Sequence, residues 1–258
     1  MSLQNVVRRV ARTGGGRLPQ AVALLLPLVA LAACSSDRIV LVYPDEAADA
    51  LYLEGEPPAL YVDAVTDMRP AEQREGEGHF FKITYPKDEA WEVPATQIYA
   101  EALAQDLEQT NLFALVPLRG QAEYVLSADL LSFGCRLERS PLAFLVTGAI
   151  GGAVGYALGD DDSHRQKLAA TLAVVGMLTI PVPTTNKAEA EVRLTLKDAR
   201  GDVVWQASCL GQHEAKKAVT PTARQDQQLV NEHLTKAIKR ADACLMGQLR
   251  QFLAERRP

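Results

Sequence analysis

The residues that could do chemistry are few: four histidines, four cysteines, two tryptophans and one run of carboxylates in 258 residues. The run is "GDDDSH", Gly159 to His164, in which Asp160, Asp161 and Asp162 precede a histidine. Adjacent carboxylates offer hard oxygen ligands, but a calcium loop spaces its ligands at alternate positions, and this run does not. It reads instead as a solvated bridge in which Asp162 or Ser163 caps a following helix. His79 lies in a charged stretch, His213 at a strand end and His233 on a helix, none with a partner at metal-ligand spacing, so each is expected at the surface or at a cap. No GxSxG, HExxH or GxxxxGK[ST] occurs. Trp91 and Trp205 read as packing residues. The expectation is a protein with no catalytic residue, no metal site and no cofactor.

The cysteines divide by position. Arg8, Arg9, Arg12 and Arg17 form a basic leader without acids, followed by the apolar run Leu18 to Leu31 and then "LAAC". That is the layout of a secretory signal; Arg8-Arg9 stands without further twin-arginine features. Leu31-Ala32-Ala33-Cys34 resembles the lipobox of bacterial lipoproteins, which implies a removed signal peptide over 1–33, lipidation (palmitate) at Cys34, and a tether over 34–57. One acyl chain holds a protein only reversibly, whereas two or three anchor it stably. Ser35 after the cysteine implies, by the same resemblance, the outer membrane, facing the periplasm. Cys135, Cys209 and Cys244 allow one disulfide in such a compartment, or three buried thiols, and spacing does not choose. Without its leader the chain has 23 basic and 32 acidic residues, a net charge of −9, which excludes nucleic acid as a partner.

The elements come next. "ALYVDAV" (Ala59–Val65) reads as a strand, and "IVLVYP" before it as a short edge strand. The stretch "TDMRPAEQREGEGHFFKITYPKDEAWEVP" is charged and rich in turn residues, and is expected as a mobile surface loop. Pro94 starts a helix over about 95–109, with Ile98, Ala102, Leu103 and Leu107 on one face. "TNLFALVP" begins a short strand and "AEYVLSADLLSFGC" is a long one. "KAEAEVRLTLKD" alternates, with Ala188, Ala190, Val192, Leu194 and Leu196 on a dry face, then turns at "ARGD" into "VVWQASCLGQHE". A closing helix over about 226–255 carries one apolar stripe from Val230 to Phe252. The fold class predicted is α+β: a two-layer sandwich of a three- to four-stranded antiparallel sheet and two helices, occupying 58–258.

One segment stands apart. Between Arg139 and Asp160 lie 20 uncharged residues, about 30 Å as a helix, which matches the bilayer core. A second apolar run, Leu168 to Ile180, is 13 residues, about 20 Å as a helix. Gly148 and Gly152 are four apart, as are Gly151, Gly155 and Gly159. Glycine costs about 1 kcal/mol relative to alanine inside a helix, so five of them imply close helix packing. The region 136–186 is therefore expected as an inserted, glycine-rich apolar helical hairpin, packing within itself or against a membrane or a second subunit.

"LYVDAVTDMRP", "AEALAQDLEQTNLFALVP" and "LTLKDARGDVVWQAS", with the closing helix, together resemble the small α+β domain of periplasmic lipoproteins related to the TolB amino-terminal domain, a group with the curli-secretion and Pel-exopolysaccharide lipoproteins. The resemblance covers roughly 57–135 and 187–255. It implies a non-enzymatic lipoprotein, an accessory or assembly part of a cell-envelope machine with protein partners and a possible homo-oligomer. The alternative it implies is a monomeric regulator, such as a peptidoglycan-synthase activator or an ABC-transport auxiliary subunit.

Overall fold

A computed structural model of the chain describes residues 38–43, 56–79, 81–84 and 86–256. The leader, Cys34 and most of the expected tether lie outside the described residues. The strands are β1 (Ala59–Asp67), β2 (Glu77–His79), β3 (Lys82–Thr84), β4 (Ala114–Leu115), β5 (Tyr124–Arg139), β6 (Val182–Asp198) and β7 (Val203–Val219). The helices are α1 (Ala71–Glu75), α2 (Ala95–Thr110), α3 (Pro141–Leu158), α4 (Asp162–Thr179) and α5 (Ala223–Arg256).

The class is α+β, but the sheet is larger than expected and mixed. Its main row runs β4-β1-β5-β6-β7, and β2-β3 extends the β1 side at the far end of β5. β1 pairs in parallel with β5, Leu60 opposite Tyr124, and with β4, Ala59 opposite Ala114. The cause is α2: a helix between two strands returns the chain to its starting end, and parallel pairing follows. β5, β6 and β7 are antiparallel over nearly their whole lengths.

The alternation read in β6 holds: Ala188, Ala190, Val192, Leu194 and Leu196 are buried, and the intervening Glu189, Glu191 and Arg193 are half-buried. In β5 the phase changes midway. Leu126, Ala128 and Leu130 face inward before a bulge at Leu131, and Phe133, Cys135 and Leu137 after it, because one extra residue flips every later side chain. α2 and α5 cover the inner face. Leu103 and Leu107 of α2 and Leu234, Leu245 and Leu249 of α5 are wholly buried. Cys209 of β7 and Cys244 of α5 form a disulfide, which staples the long helix to the sheet, and Cys135 is the buried free thiol.

Two expectations are corrected. The stretch after β1 is built, not a loop: Gln73 of α1 donates to Ser132 and accepts from the Phe133 amide of β5, β3 pairs with β5, and the two ends are tied by Arg69, whose side chain is 2% exposed between Asp67 and Asp88, each 2.8 Å away. That partner lies 19 residues downstream, so no local pattern announces it. Residues 38–43, expected as tether and edge strand, form a strap. Ile39 bridges Trp91, the Val42 amide donates to Asn231 Oδ1 (3.1 Å), and the Tyr43 hydroxyl donates to Asp106 (2.6 Å).

Candidate interaction surface

β5 and β6 form one antiparallel pair, with Arg139 opposite Thr184, and everything between these residues takes the place of a turn. The insertion is thus shorter than the expected 136–186: residues 136–139 and 182–186 belong to the sheet. Ser140 caps α3 by accepting from the Ala143 amide (3.4 Å), with Pro141 in the first turn. Asp161, one residue before the expected caps, accepts from the His164 amide (2.8 Å) and starts α4. The carboxylate run is therefore a helix bridge with Asp160 and Asp162 exposed.

The two helices meet backbone to backbone. A Cβ placed on Gly151 would overlap the Leu172 carbonyl, and one on Gly155 the Leu168 carbonyl. A Cβ on Gly148 would lie 2.9 Å from Met177 Cγ, and one on Gly159 2.6 Å from Arg165 Cα. Gly152 sits on the shoulder of the seam, its Cβ position 3.5 Å from Ala169 O and Ala173 Cβ. The seam therefore uses Gly148, Gly151 and Gly155, with Gly159 against Arg165 at its tip end, and Gly152 only loosely. The sequence reading missed Gly176 of α4, whose Cβ position is 2.6 Å from Thr147 O. Its signal was one glycine inside an apolar run, opposite a glycine-rich helix.

With glycines inside, the large side chains point out. Leu142, Leu145, Val146, Ile150, Val154 and Leu158 of α3 are each at least half exposed, Leu142 and Leu145 at 68%. Val174, Val175 and Leu178 continue the apolar surface on α4. Only the root is packed against the domain: Phe144 is buried and meets Phe81 edge-on at 5.3 Å. Among the described residues α3 is the helix long and apolar enough to cross a membrane by length and composition.

A second feature lies along α5. A groove of about 610 Å³ is lined by Val42, His213, Asn231, Glu232, Lys236 and Arg240, among others. Sequence reading placed His213 and His233 apart, at the surface or at caps. Instead their Nδ1 atoms are 2.8 Å apart, and His233 is wholly buried. Burial is the main cause that lowers both, His233 to about 4, so the pair is neutral at physiological pH with one ring donating to the other. Deeper in, the Tyr99 hydroxyl donates to Asp242 (2.7 Å), and burial raises the Asp242 carboxyl well above its usual range. Lys239 donates to Asp106 (3.2 Å). These last two contacts join α2 to α5. Among the described residues no group of three or more His, Cys, Asp or Glu could hold a metal. His79 lies on β2 and His164 in the first turn of α4. Trp91 packs on Phe133 and Trp205 on Phe252, as core and sheet-face residues.

No protein-family model and no curated protein matches the chain. Among solved structures it is similar to the Xanthomonas campestris protein XCC0632, of the family model DUF330, at 12% identity and TM-score 0.40, covering 80% of this chain and 93% of that one. It is also similar to lipoprotein GNA1162 from Neisseria meningitidis, at 10% identity and TM-score 0.30, covering 62% and 85%. A third is described as a homolog of a neuraminyllactose-binding hemagglutinin from Helicobacter pylori, at 7% identity and TM-score 0.37, covering 83% and 98%. Likenesses of this size leave fold and function to be argued from the chain's own residues.

Proposed function

We propose that the chain is a non-enzymatic lipoprotein of the bacterial cell envelope. In this reading Cys34 is lipidated at the outer membrane, the α+β domain faces the periplasm, and the protein serves as an accessory or assembly component of an envelope machine. The α3–α4 hairpin is its contact element, toward the membrane or a neighbouring subunit. The observation that carries the reading is the outward-facing apolar surface of that hairpin, where leucine, valine and isoleucine side chains on both helices stay 38% to 68% exposed; clustered exposed apolar side chains mark interaction surfaces. The "LAAC" before Cys34 supports the anchor. The Cys209–Cys244 disulfide supports an oxidising compartment. The resemblance to the TolB amino-terminal-like lipoproteins supports a binding or scaffolding role.

The groove beside Lys236 and Arg240 favours one alternative, a monomeric binding or regulatory lipoprotein. Two measurements test the proposal. Palmitate should label the wild type and not Cys34→Ala, and labelling of both would remove the anchor. Native mass after mild detergent extraction should show an oligomer or a complex with envelope proteins; a bare monomer, with no partner recovered after crosslinking in cells, would leave the binding-module reading in its place.

A further inference from the structure

We infer that the α3–α4 hairpin is a membrane-inserted pair that enters the same bilayer as the Cys34 lipid and reaches its far side with the Asp160–Asp162 tip. The inference takes the lipidation of Cys34 from the proposed function but stands on four features of the hairpin itself.

The first is that the pair is packed inside out. Two helices in water bury their large apolar side chains between them. Here glycine and alanine lie between the helices, and leucine, valine and isoleucine face outward. In hydrocarbon there is no hydrophobic gain from joining two helices, so pairs are held by close backbone packing through small residues. Large apolar side chains then face the lipid at no cost.

The second is that the small-residue face is already used. Gly148, Gly151 and Gly155 are filled by α4, and Gly176 by α3. The glycine row is therefore not available to a helix of a second copy, and the outer face of α3 sets Ala149, Ala153 and Ala157 among larger leucine, valine and isoleucine side chains, apolar bulk of the kind a lipid surface accepts.

The third is length. α3 has 18 residues, about 27 Å of helix, against about 30 Å of hydrocarbon, and its backbone is satisfied internally, as a lipid-exposed segment requires. The charges of the pair gather at the tip: Asp160, Asp161, Asp162, Arg165 and Lys167. Arg165 folds back there, donating to Gly159 O at 3.1 Å with its guanidinium 5.7 Å over the Tyr156 ring. In a spanning pair these groups sit at the distal headgroups, where long basic side chains extend to water.

The fourth is direction. At the hairpin root Arg139 pairs with Asp226. The next residue, Gln227, donates to the Arg38 carbonyl at 3.4 Å. Cys34 is four residues upstream of Arg38, and four residues of extended chain reach no more than about 14 Å. Arg38, where the described chain begins, and the hairpin root therefore lie at the same end of the domain, the first turns of α5. A bilayer that holds the acyl chains meets the hairpin root first.

The test is thiol accessibility in the lipidated full chain, reconstituted into preformed phosphatidylethanolamine–phosphatidylglycerol vesicles. Among the described residues Cys135 is the one free cysteine, and it is buried. Ser163→Cys, at the exposed tip, then gives a single reactive site, and Ala199→Cys, in the exposed β6–β7 turn, is the outward control. A membrane-impermeant maleimide should label Ala199→Cys at once and Ser163→Cys only after detergent opens the vesicles. Labelling of Ser163→Cys at the control rate places the tip in water on the domain side and overturns the inference. Protection that persists in detergent means that a second subunit covers the tip, and overturns it too. The wild type separates the two proposals: if it labels readily, Cys34 is a thiol and the lipid reading fails, whatever the tip does.

Discussion

Two helix contacts in this molecule follow opposite rules. α5 lies on the sheet with Leu234, Leu245 and Leu249 buried beneath it and its other side in water. The backbones approach closely at one point, where a Cβ on Gly211 of β7 would overlap the Ala237 carbonyl. α3 lies on α4 along a seam of backbone and small residues, and its leucines and valines stay outside. The first contact is stabilised by removing apolar surface from water, at roughly 25 cal/mol per Å². The second leaves such surface uncovered, so its stability depends on what surrounds it. The sheet and α5 cover each other's apolar faces, whereas the hairpin leaves its large apolar side chains uncovered by the rest of the chain.

The sharpest way to break that comparison is on the sheet. Leu194→Asp puts an unpaired charge where exposure is 0%, and should cost more than about 4 kcal/mol, enough to unfold the domain. Glu191→Lys on the opposite face should stay within about 0.5 kcal/mol. Denaturant unfolding of both variants checks this, and equal midpoints would contradict the assigned faces.

Next is the staple. The Cys209–Cys244 bridge closes a loop of 35 residues, and Cys209→Ser should lower stability by about 3 kcal/mol without changing the length of α5 by circular dichroism. A loss confined to α3 and α4 would mean that the two contacts are coupled.

The buried ionisable groups give a pH dependence. His233 has a folded value of about 4 against an ordinary 6.5, so the unfolded chain binds the extra proton between those values. Its contribution is complete above pH 6.5 and declines as pH falls toward 4, by about 2 kcal/mol at pH 4.5. Asp242 acts in the opposite sense: its raised carboxyl stays protonated in the fold, so its contribution is lost as pH rises above the ordinary carboxylate range. His233→Gln should therefore flatten the acid side of the stability profile relative to the wild type. An unchanged slope would place His233 in water.

The smallest effect on unfolding belongs to the seam. Gly151→Leu and Gly155→Leu should force the helices apart, lower membrane retention, and change the melting of the sheet domain by less than about 0.5 kcal/mol, since the strands and α5 lie outside the contact. Gly152→Ala, on the shoulder, should be close to neutral in both readings. If Gly152→Ala disrupts retention as strongly as Gly151→Leu, the seam runs along the other glycine row.

The elements that declare themselves by period were legible in the sequence. The alternation over 188–196 and the stripe from Val230 to Leu249 are properties of single segments, and both match the buried faces. The glycine spacing announced a close contact, and which glycines make it depended on α4 and its Gly176. What was not legible required two distant segments at once. Arg69 needs Asp88 to turn a charged stretch into structure, His213 needs His233 across β7 and α5, and the disulfide needed the helix to cross the sheet at Cys209. The parallel pairing of β1 with β5 was implicit in the strand–helix–strand order, yet was read as antiparallel because the clean alternation of β6 dominated.

The central claim is that the hairpin contacts a membrane and is dispensable to the fold. The most direct measurement uses a chain beginning at Ser35, which keeps every described element, and a second in which 140–183 is replaced by an Asn-Gly turn joining Arg139 to Thr184, already opposite each other in the β5–β6 pair. Both are floated with vesicles and melted in parallel. The account predicts that the first rises with the vesicles, the second stays in the soluble fraction, and the two melt alike. A first chain that remains a soluble monomer, or a second that fails to fold, would contradict it.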